Sequence, residues 1–279
     1  MEITKNRRDL SKYLAQIKDK IGFVPTMGAL HAGHIKLIKS AKDIGCFTAV
    51  SIFVNPLQFN DPNDFKTYPQ NLDTDLDICR QNGVDLVFCP GLNDIYEYNL
   101  DNTFKIEPPL NLTSVLCGLG RPGHFTGVAT IVLKLFNLVR PNKVFMGLKD
   151  YQQYLIIKRM CQDLFYDIEV IGIDTVREES GLALSSRNKL LKPDDLKKAP
   201  ILYKTLVEIK NELLTDKNIG NIIRIKRDDL SQFGINVEYL TALNANDLSE
   251  VNSFSVPTLL AIAAKFDKIR LIDNIIAYP

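Results

Sequence analysis

One stretch, residues 21–54, limits what this chain can fold into more than any other. A short apolar run, Ile21 to Val24, leads into Pro25-Thr26-Met27-Gly28-Ala29-Leu30-His31-Ala32-Gly33-His34. A helical pattern opens there: Ile35, Ile38 and Ala41 recur on one face, Lys36, Lys39, Lys42 and Asp43 fill the other, and Gly45 provides a stop. A β-branched run from Thr48 to Val54 follows. Strand, glycine-containing turn, helix and strand within ~30 residues make a βαβ unit, the building block of an α/β fold.

A strand that passes through such a turn into a helix offers first-turn N–H groups without intrahelical partners, and the helix dipole favours an anion. The turn therefore predicts phosphate, and with it a nucleotide. Gly28 and Gly33 have the spacing of a Walker A loop, but His34 and Ile35 stand where its Lys and Ser or Thr belong, and the GxGxxG pattern is absent as well. Two imidazoles, three residues apart on one side of the first turn, take the place of the lysine. An isolated HxxH serves equally as surface polarity or as a helix cap. Here the chain has three histidines, and two fall in the turn built to meet phosphate. As donors that titrate near neutrality, His31 and His34 suit oxygens on which charge develops during attack at an α-phosphate.

The remaining pattern extends the α/β reading. Residues 7–18 predict a short amphipathic helix, and Leu72 to Gln81 a helix closed by Gly83. Val84 to Cys89 and Val144 to Met146 predict buried strands, Thr103 to Glu107 an edge strand, and Ile168 to Val176 the last strand of the sheet. Asn60 to Gln70 and Asp94 to Asn102 read as loops. The glycine-rich Gly118 to Gly127 is a loop that feeds a helix, Val128 to Leu138, with Thr126 as its cap. Asp73, Asp75 and Asp77 alternate along a helix, do not converge on a metal, and read as a solvated face. Lys149, where a strand ends and a helix begins, puts a point positive charge at the ligand edge of the sheet, and Asp150 beside it is a contact or simply a cap. After Lys192-Pro193-Asp194-Asp195 glycine becomes scarce. Helices over Leu196 to Leu214 and Ile219 to Phe233, then strands over Val237 to Leu243, Leu259 to Ala264 and Ile269 to Ile276, predict a smaller α+β domain. The expected division is 1–177 and 178–279.

Residues 25–34 resemble the "HIGH"-type signature of the nucleotidyltransferase and class I aminoacyl-tRNA synthetase superfamily, in the form found in the pantoate:β-alanine ligases. Four further blocks resemble that family in order: Ser51 to Phe59, Arg121 to Val128, Lys149 to Gln153, and Leu182 to Asn188. The resemblance implies a Rossmann-like parallel sheet with helices on both faces, plus the smaller C-terminal domain as a hinged lid. It implies an ATP-dependent ligase that condenses (R)-pantoate with β-alanine through a pantoyl adenylate, releasing AMP and pyrophosphate, with Mg2+ on the phosphates. His31, His34, Lys149 and Arg187 are its implied catalytic residues. Met27, Gly28, Gly33, Gly147, Asp150, Val176, Leu184, Ser185 and Ser186 join those four around ATP, and Gln58 and Gln153 contact pantoate and β-alanine. The segment to Arg187 occupies the place of KMSKS in related synthetases, with hydroxyls, amides and one guanidinium suited to phosphate oxygens. Arg121 and His124 border the site or form an exposed turn. Leu148 departs from the family, which commonly has Glu there.

Composition narrows the alternatives. With 34 basic against 33 acidic residues, a net charge of +1 gives no nucleic-acid or membrane surface. A tRNA synthetase is disfavoured on that ground and for want of KMSKS. A transferase that keeps the adenylylated product, or a nucleotide sensor without catalysis, are the rival readings. Five scattered cysteines without a CxxC pair fit reduced thiols. No signal peptide is visible at the start, and Val128 to Val139 contains Lys134 and is too short to span a bilayer, so a cytoplasmic enzyme is expected. The family resemblance adds a homodimer.

Overall fold

The computed structural model describes residues 1–215 and 218–279. The chain forms two compact units. The first comprises Met1–Thr113, Cys117–Leu148 and Gln152–Asp174; the second comprises Ser114–Leu116, Lys149–Tyr151 and Thr175–Pro279.

The first unit is built on six parallel strands, β1 (Glu2–Thr4), β2 (Ile21–Thr26), β3 (Phe47–Ile52), β4 (Leu86–Phe88), β5 (Lys143–Gly147) and β6 (Glu169–Ile173), in the order β1-β4-β3-β2-β5-β6. Strand β2 is apolar at consecutive positions because both its faces are covered. Phe23 packs edge-on against Phe136 of the His124–Val139 helix. Val24, its neighbour, joins a cluster with Leu37, Ile38 and Ala41 of the Ala32–Asp43 helix. A parallel sheet with helices on both faces reads this way, as runs of buried residues without alternation. Strand order reverses between β2 and β5, which pair through Gly22 with Lys143 and Phe23 with Val144. Such a switch point leaves a crevice at the carboxyl ends of the strands. The histidine turn leaves one of these two ends, and Gly147-Leu148 leave the other.

The second unit carries three antiparallel strands, β7 (Asn236–Asn244), β8 (Thr258–Phe266) and β9 (Ile269–Ala277), in that order. Its core joins Leu202, Leu206 and Ile209 of the Ile201–Leu213 helix, Ile222 and Leu230 of the Ile219–Gln232 helix, and Leu260 and Ile262 of β8. The expected α/β sheet and smaller α+β region are both present.

Several local expectations change. Thr103 to Glu107 is not a strand: the Ile106 N–H donates to Thr130 Oγ1 at 2.9 Å rather than to the sheet, and Phe104 is almost fully exposed. The sheet edge is instead Glu2–Thr4, too short to show a period. The glycine-rich segment contains a short helix, Leu116–Gly120, and the following helix starts at His124, so Thr126 lies inside it and does not cap it. Gly123 takes that place with φ of 76°, a conformation glycine adopts without strain. The helix expected over Leu196 to Leu214 is two, Pro193–Lys198 and Ile201–Leu213, interrupted where Pro200 removes a donor. The expected loop at Asn60 to Gln70 holds a short helix, Pro62–Lys66, capped by Asp61. Leu92–Ile95 and Leu100–Asn102 likewise turn helically within or beside the other expected loop.

Candidate active site

The histidine turn is held by side chains from outside it. Thr26 Oγ1 donates to Ser51 O at 2.7 Å and accepts from the Gly28 N–H at 3.3 Å, tying the end of β2 to β3. Gly28 (φ 87°) and Ala29 (φ 53°) then turn the chain through the left-handed region. Glycine is required at position 28, because a Cβ would stand 2.8 Å from an oxygen of Asp75. That carboxylate accepts from the Ala29 N–H at 2.9 Å and the Leu30 N–H at 2.7 Å. Asp75 is 2% exposed, which corrects the solvated face expected of it. It belongs to the Leu72–Gln81 helix, whose buried residues also include Leu76 and Cys79. A clue existed in the sequence, since Asp75 lies one turn before Cys79 on the apolar stripe.

Several amides of the turn are therefore already engaged within the protein. The Ala29 and Leu30 amides are satisfied by the protein's own carboxylate, and the Gly33 amide donates to His31 Nδ1 at 3.1 Å. His34 Nδ1 in turn accepts from the His31 N–H at 3.2 Å, completing a capping box at the start of the Ala32–Asp43 helix. The capping alternative for HxxH is realised. It also fixes the tautomers: a ring nitrogen that accepts from a backbone N–H carries no hydrogen, so both imidazoles hold theirs on Nε2. The two ring centroids lie 4.2 Å apart, with the ring planes tilted by 49°. Gly33 allows this, because a Cβ there would meet His31 Cε1 at 2.8 Å. Met27, half-buried, precedes Gly28 in the same turn.

A second cluster in the first unit surrounds Gln58. It lies buried in the short Pro56–Gln58 turn and accepts at Oε1 from Asn55 Nδ2 at 3.0 Å. Asn55 also donates to Gly127 O and accepts from the Tyr96 hydroxyl at 2.7 Å, whose pKa burial pushes up. The Gln58 carbonyl accepts from Arg121 Nη2 at 3.1 Å and from His124 Nδ1 at 2.7 Å. His124 therefore has its hydrogen on Nδ1, the reverse of the histidine pair, with Nε2 facing Arg121 Nη1 at 3.2 Å. Arg121 and His124 are thus not an exposed turn but supports of the Gln58 segment, a role that sequence reasoning did not give them. Gly127 permits the approach: a Cβ would stand 2.2 Å from Leu57 O. On the Tyr151–Asp163 helix, Gln152 is engaged with backbone groups, donating to Leu112 O at 2.8 Å and accepting from Cys117 N–H at 3.0 Å. Gln153 is half-buried beside it.

The remaining candidates lie in the second unit, apart from Gly147, which ends β5. Lys149 is half-buried and Asp150 exposed, in the single turn Leu148–Asp150. The segment 176–188 doubles back on itself, the Leu184 N–H donating to Val176 O at 2.9 Å and the Glu178 N–H to Leu182 O at 2.9 Å. Ser185 Oγ accepts from the Arg187 N–H at 3.2 Å and caps the turn Ser186–Leu190. Ser185, Ser186 and Arg187 therefore sit consecutively on a fixed turn, all half-buried.

Among the described residues no group of three or more His, Cys, Asp or Glu side chains is arranged to hold a metal ion. None of the helices there is long and apolar enough to cross a membrane.

Comparison with known proteins agrees with this architecture. Residues 2–276 match the family model for pantoate-beta-alanine ligase. A pantothenate synthetase of Idiomarina loihiensis is 43% identical over 99% of this chain and 97% of its own length. One from Thermus thermophilus is 40% identical over 94% and 95%. The crystal structure of a T. thermophilus pantothenate synthetase superposes with a TM-score of 0.94 over 100% of both chains at 38% identity. A pantoate-beta-alanine ligase from Francisella tularensis, complexed with beta-gamma ATP and beta-alanine, gives a TM-score of 0.79 at 38% identity over 99% of this chain and 97% of that one. With the match running almost end to end, the chain belongs to the pantoate-beta-alanine ligase family.

Proposed function

We propose that this ligase condenses pantoate with β-alanine in two steps through a pantoyl adenylate. A carboxylate is a poor acylating agent, because its leaving group would be oxide. In the first step a pantoate carboxylate oxygen attacks the α-phosphorus of ATP, the α–β phosphoanhydride bond breaks, and pyrophosphate leaves. In the second the β-alanine amine attacks the acyl carbon, loses a proton and displaces AMP. No covalent bond to the enzyme is needed.

The observation that supports this reading best is the histidine pair with both Nδ1 atoms engaged by backbone amides. Each ring then offers an Nε2–H to oxygens on the α-phosphate, preorganised donors aimed at developing charge. Lys149 and Arg187 neutralise the β- and γ-phosphates, and the Ser185 hydroxyl, which accepts from Arg187, keeps its own proton to donate. Ser186, Met27, Gly28, Gly33, Gly147, Asp150, Val176 and Leu184 complete the ATP contacts, while Gln58 and Gln153 bind pantoate and β-alanine. Magnesium would arrive on the ATP phosphates, where it withdraws charge. In this reading residues 1–177 bind ATP and pantoate, and 178–279 form a lid that excludes water from a hydrolysable mixed anhydride. A cytoplasmic homodimer completes it.

One assay tests the reading: ATP, magnesium, pantoate and a series of amines, followed by AMP release. AMP formed only with pantoate and β-alanine together supports the ligase. An accumulating adenylylated compound points to a transferase, and binding without turnover to a sensor.

A further inference from the structure

The second unit contains a buried charged cluster to which the reaction above gives no task. Arg177 and Asp273 form a bidentate pair at 2.6 and 2.9 Å, with side chains 16% and 3% exposed. The guanidinium also donates to Gly181 O at 3.0 Å and to Asn274 O at 3.4 Å, and it lies 3.7 Å from the centroid of the Tyr203 ring. Asp273 Oδ1 accepts from the Asn274 N–H at 2.8 Å, and Asn274 Nδ2 donates to Lys149 O at 2.8 Å. A continuous series of contacts thus runs from Gly181, at the bend of the 176–188 segment, through Arg177, Asp273 and Asn274 to the backbone of Lys149.

We infer that Asn274 is a positioning residue for Lys149, held in place by the Asp273–Arg177 pair. Lys149 sits in a single turn between a strand and a helix. Strand β9 supplies a reference outside that turn: Asn274 is paired in register with Ala261 of β8, so its side chain starts from a rigid frame. On the other side of the same turn, the Tyr151 hydroxyl donates to Ala245 O at 2.9 Å. Net stability alone does not account for such a cluster, since a buried ion pair is often no more stabilising than apolar residues of similar volume. Orientation does: one guanidinium and one aspartate set both the bend that leads to Ser185 and Arg187 and the asparagine that grips Lys149. The inference rests on the proposal that Lys149 meets the triphosphate.

The test is a double-mutant cycle on the full-length enzyme, with Asn274→Ala and Asn274→Asp each made alone and with Lys149→Ala. Adenylate formation is read as pantoate-dependent exchange of pyrophosphate into ATP at high enzyme concentration, with thermal unfolding alongside. Asn274→Asp keeps the shape but cannot donate to Lys149 O. Both Asn274 variants are expected to lower the exchange rate about 10- to 100-fold, as a small misplacement of a reacting group does, with the KM for β-alanine unchanged. In the Lys149→Ala background the further loss should shrink below about 3-fold, because effects that pass through one residue do not add. Equal losses in both backgrounds, or an Asn274→Asp enzyme near wild-type rate, would overturn the inference. Near-normal turnover of Lys149→Ala alone would overturn the functional reading beneath it, and it is recognised separately because no change at Asn274 is involved.

Discussion

The histidine turn and the 176–188 segment solve the same problem with supports of opposite charge. After Thr26 the chain leaves a parallel strand with amides pointing inward, and a buried carboxylate, Asp75, collects two of them. At Gly181 the chain bends with a carbonyl pointing inward, and a buried guanidinium, Arg177, donates to it. In each case the supporting charge comes from far along the chain or is paired with a residue that does, Asp75 lying 45 residues from Leu30 and Asp273 lying 96 from Arg177. The lesson concerns which atoms are left for chemistry. The Ala29, Leu30 and Gly33 amides of the histidine turn are engaged, and the proposed reaction draws its donors there from ring Nε2–H groups. In the second segment they are hydroxyls and a guanidinium.

The strongest way to break this comparison is at the rings themselves. His34→Ala should lower adenylate formation by about 100- to 1000-fold, the range for removing a preorganised oxyanion donor, while circular dichroism stays native. Near-normal turnover would remove His34 from its role and leave it a cap. Removing the support comes next. Asp75→Ala orphans two buried amides and should destabilise by about 2–5 kcal/mol, read as a shift of the urea midpoint, with pantoate-dependent exchange falling at least 10-fold because the turn no longer presents the rings. Unchanged exchange in the folded variant would show that the turn keeps its shape without the carboxylate.

Arg177→Met makes the corresponding cut in the second unit. It leaves Asp273 buried without its cation, so a loss of about 3–5 kcal/mol is expected, with a smaller effect on exchange than Asp75→Ala, because Asn274 keeps its pairing with Ala261 and its bond to Asp273, and Ser185 still caps the Arg187 turn. A larger catalytic loss than that of Asp75→Ala would reverse the ranking of the two supports. The mildest effect concerns thiols that neither support uses. Burial pushes Cys79 up to about 12 and Cys161 to about 11, from 9.0. Because the folded form holds these protons more tightly, their stabilising contribution is complete below the ordinary thiol value and is lost as pH rises through the raised ones. Alkylation by iodoacetamide at about pH 8 should therefore be slow in the native protein and fast in urea, and equal rates would contradict the burial.

Much of the fold was legible in the sequence. Residues 21–54 carry their βαβ order openly, because burial on both faces demands apolar runs, and helix Ala32–Asp43 shows its period. The motif blocks singled out His31, His34, Lys149 and Arg187 from the order of residues alone. Asp75 was barely legible. It looks like its neighbours Asp73 and Asp77 apart from its place one turn before Cys79, and the packing of its helix against the turn is what makes it a buried acceptor rather than solvated charge. The support that Arg121 and His124 give to Gln58 escaped for the same reason, since their partner is its backbone carbonyl, 63 and 66 residues away, and carbonyls have no sequence signature.

By itself, then, the sequence determined the family, the order of the main strands and the candidate side chains of the proposed reaction, because periodicity and local motif are written in consecutive residues. The tertiary structure decided which hydrogen-bonding groups were already engaged. It engaged the Ala29 and Leu30 amides of an apparent phosphate nest with a carboxylate, set the ring hydrogens on Nε2, and tied Lys149 to the last strand through Asn274. Those outcomes depend on distances between residues remote in the chain, and only folding brings such residues within the roughly 3 Å over which a hydrogen bond acts.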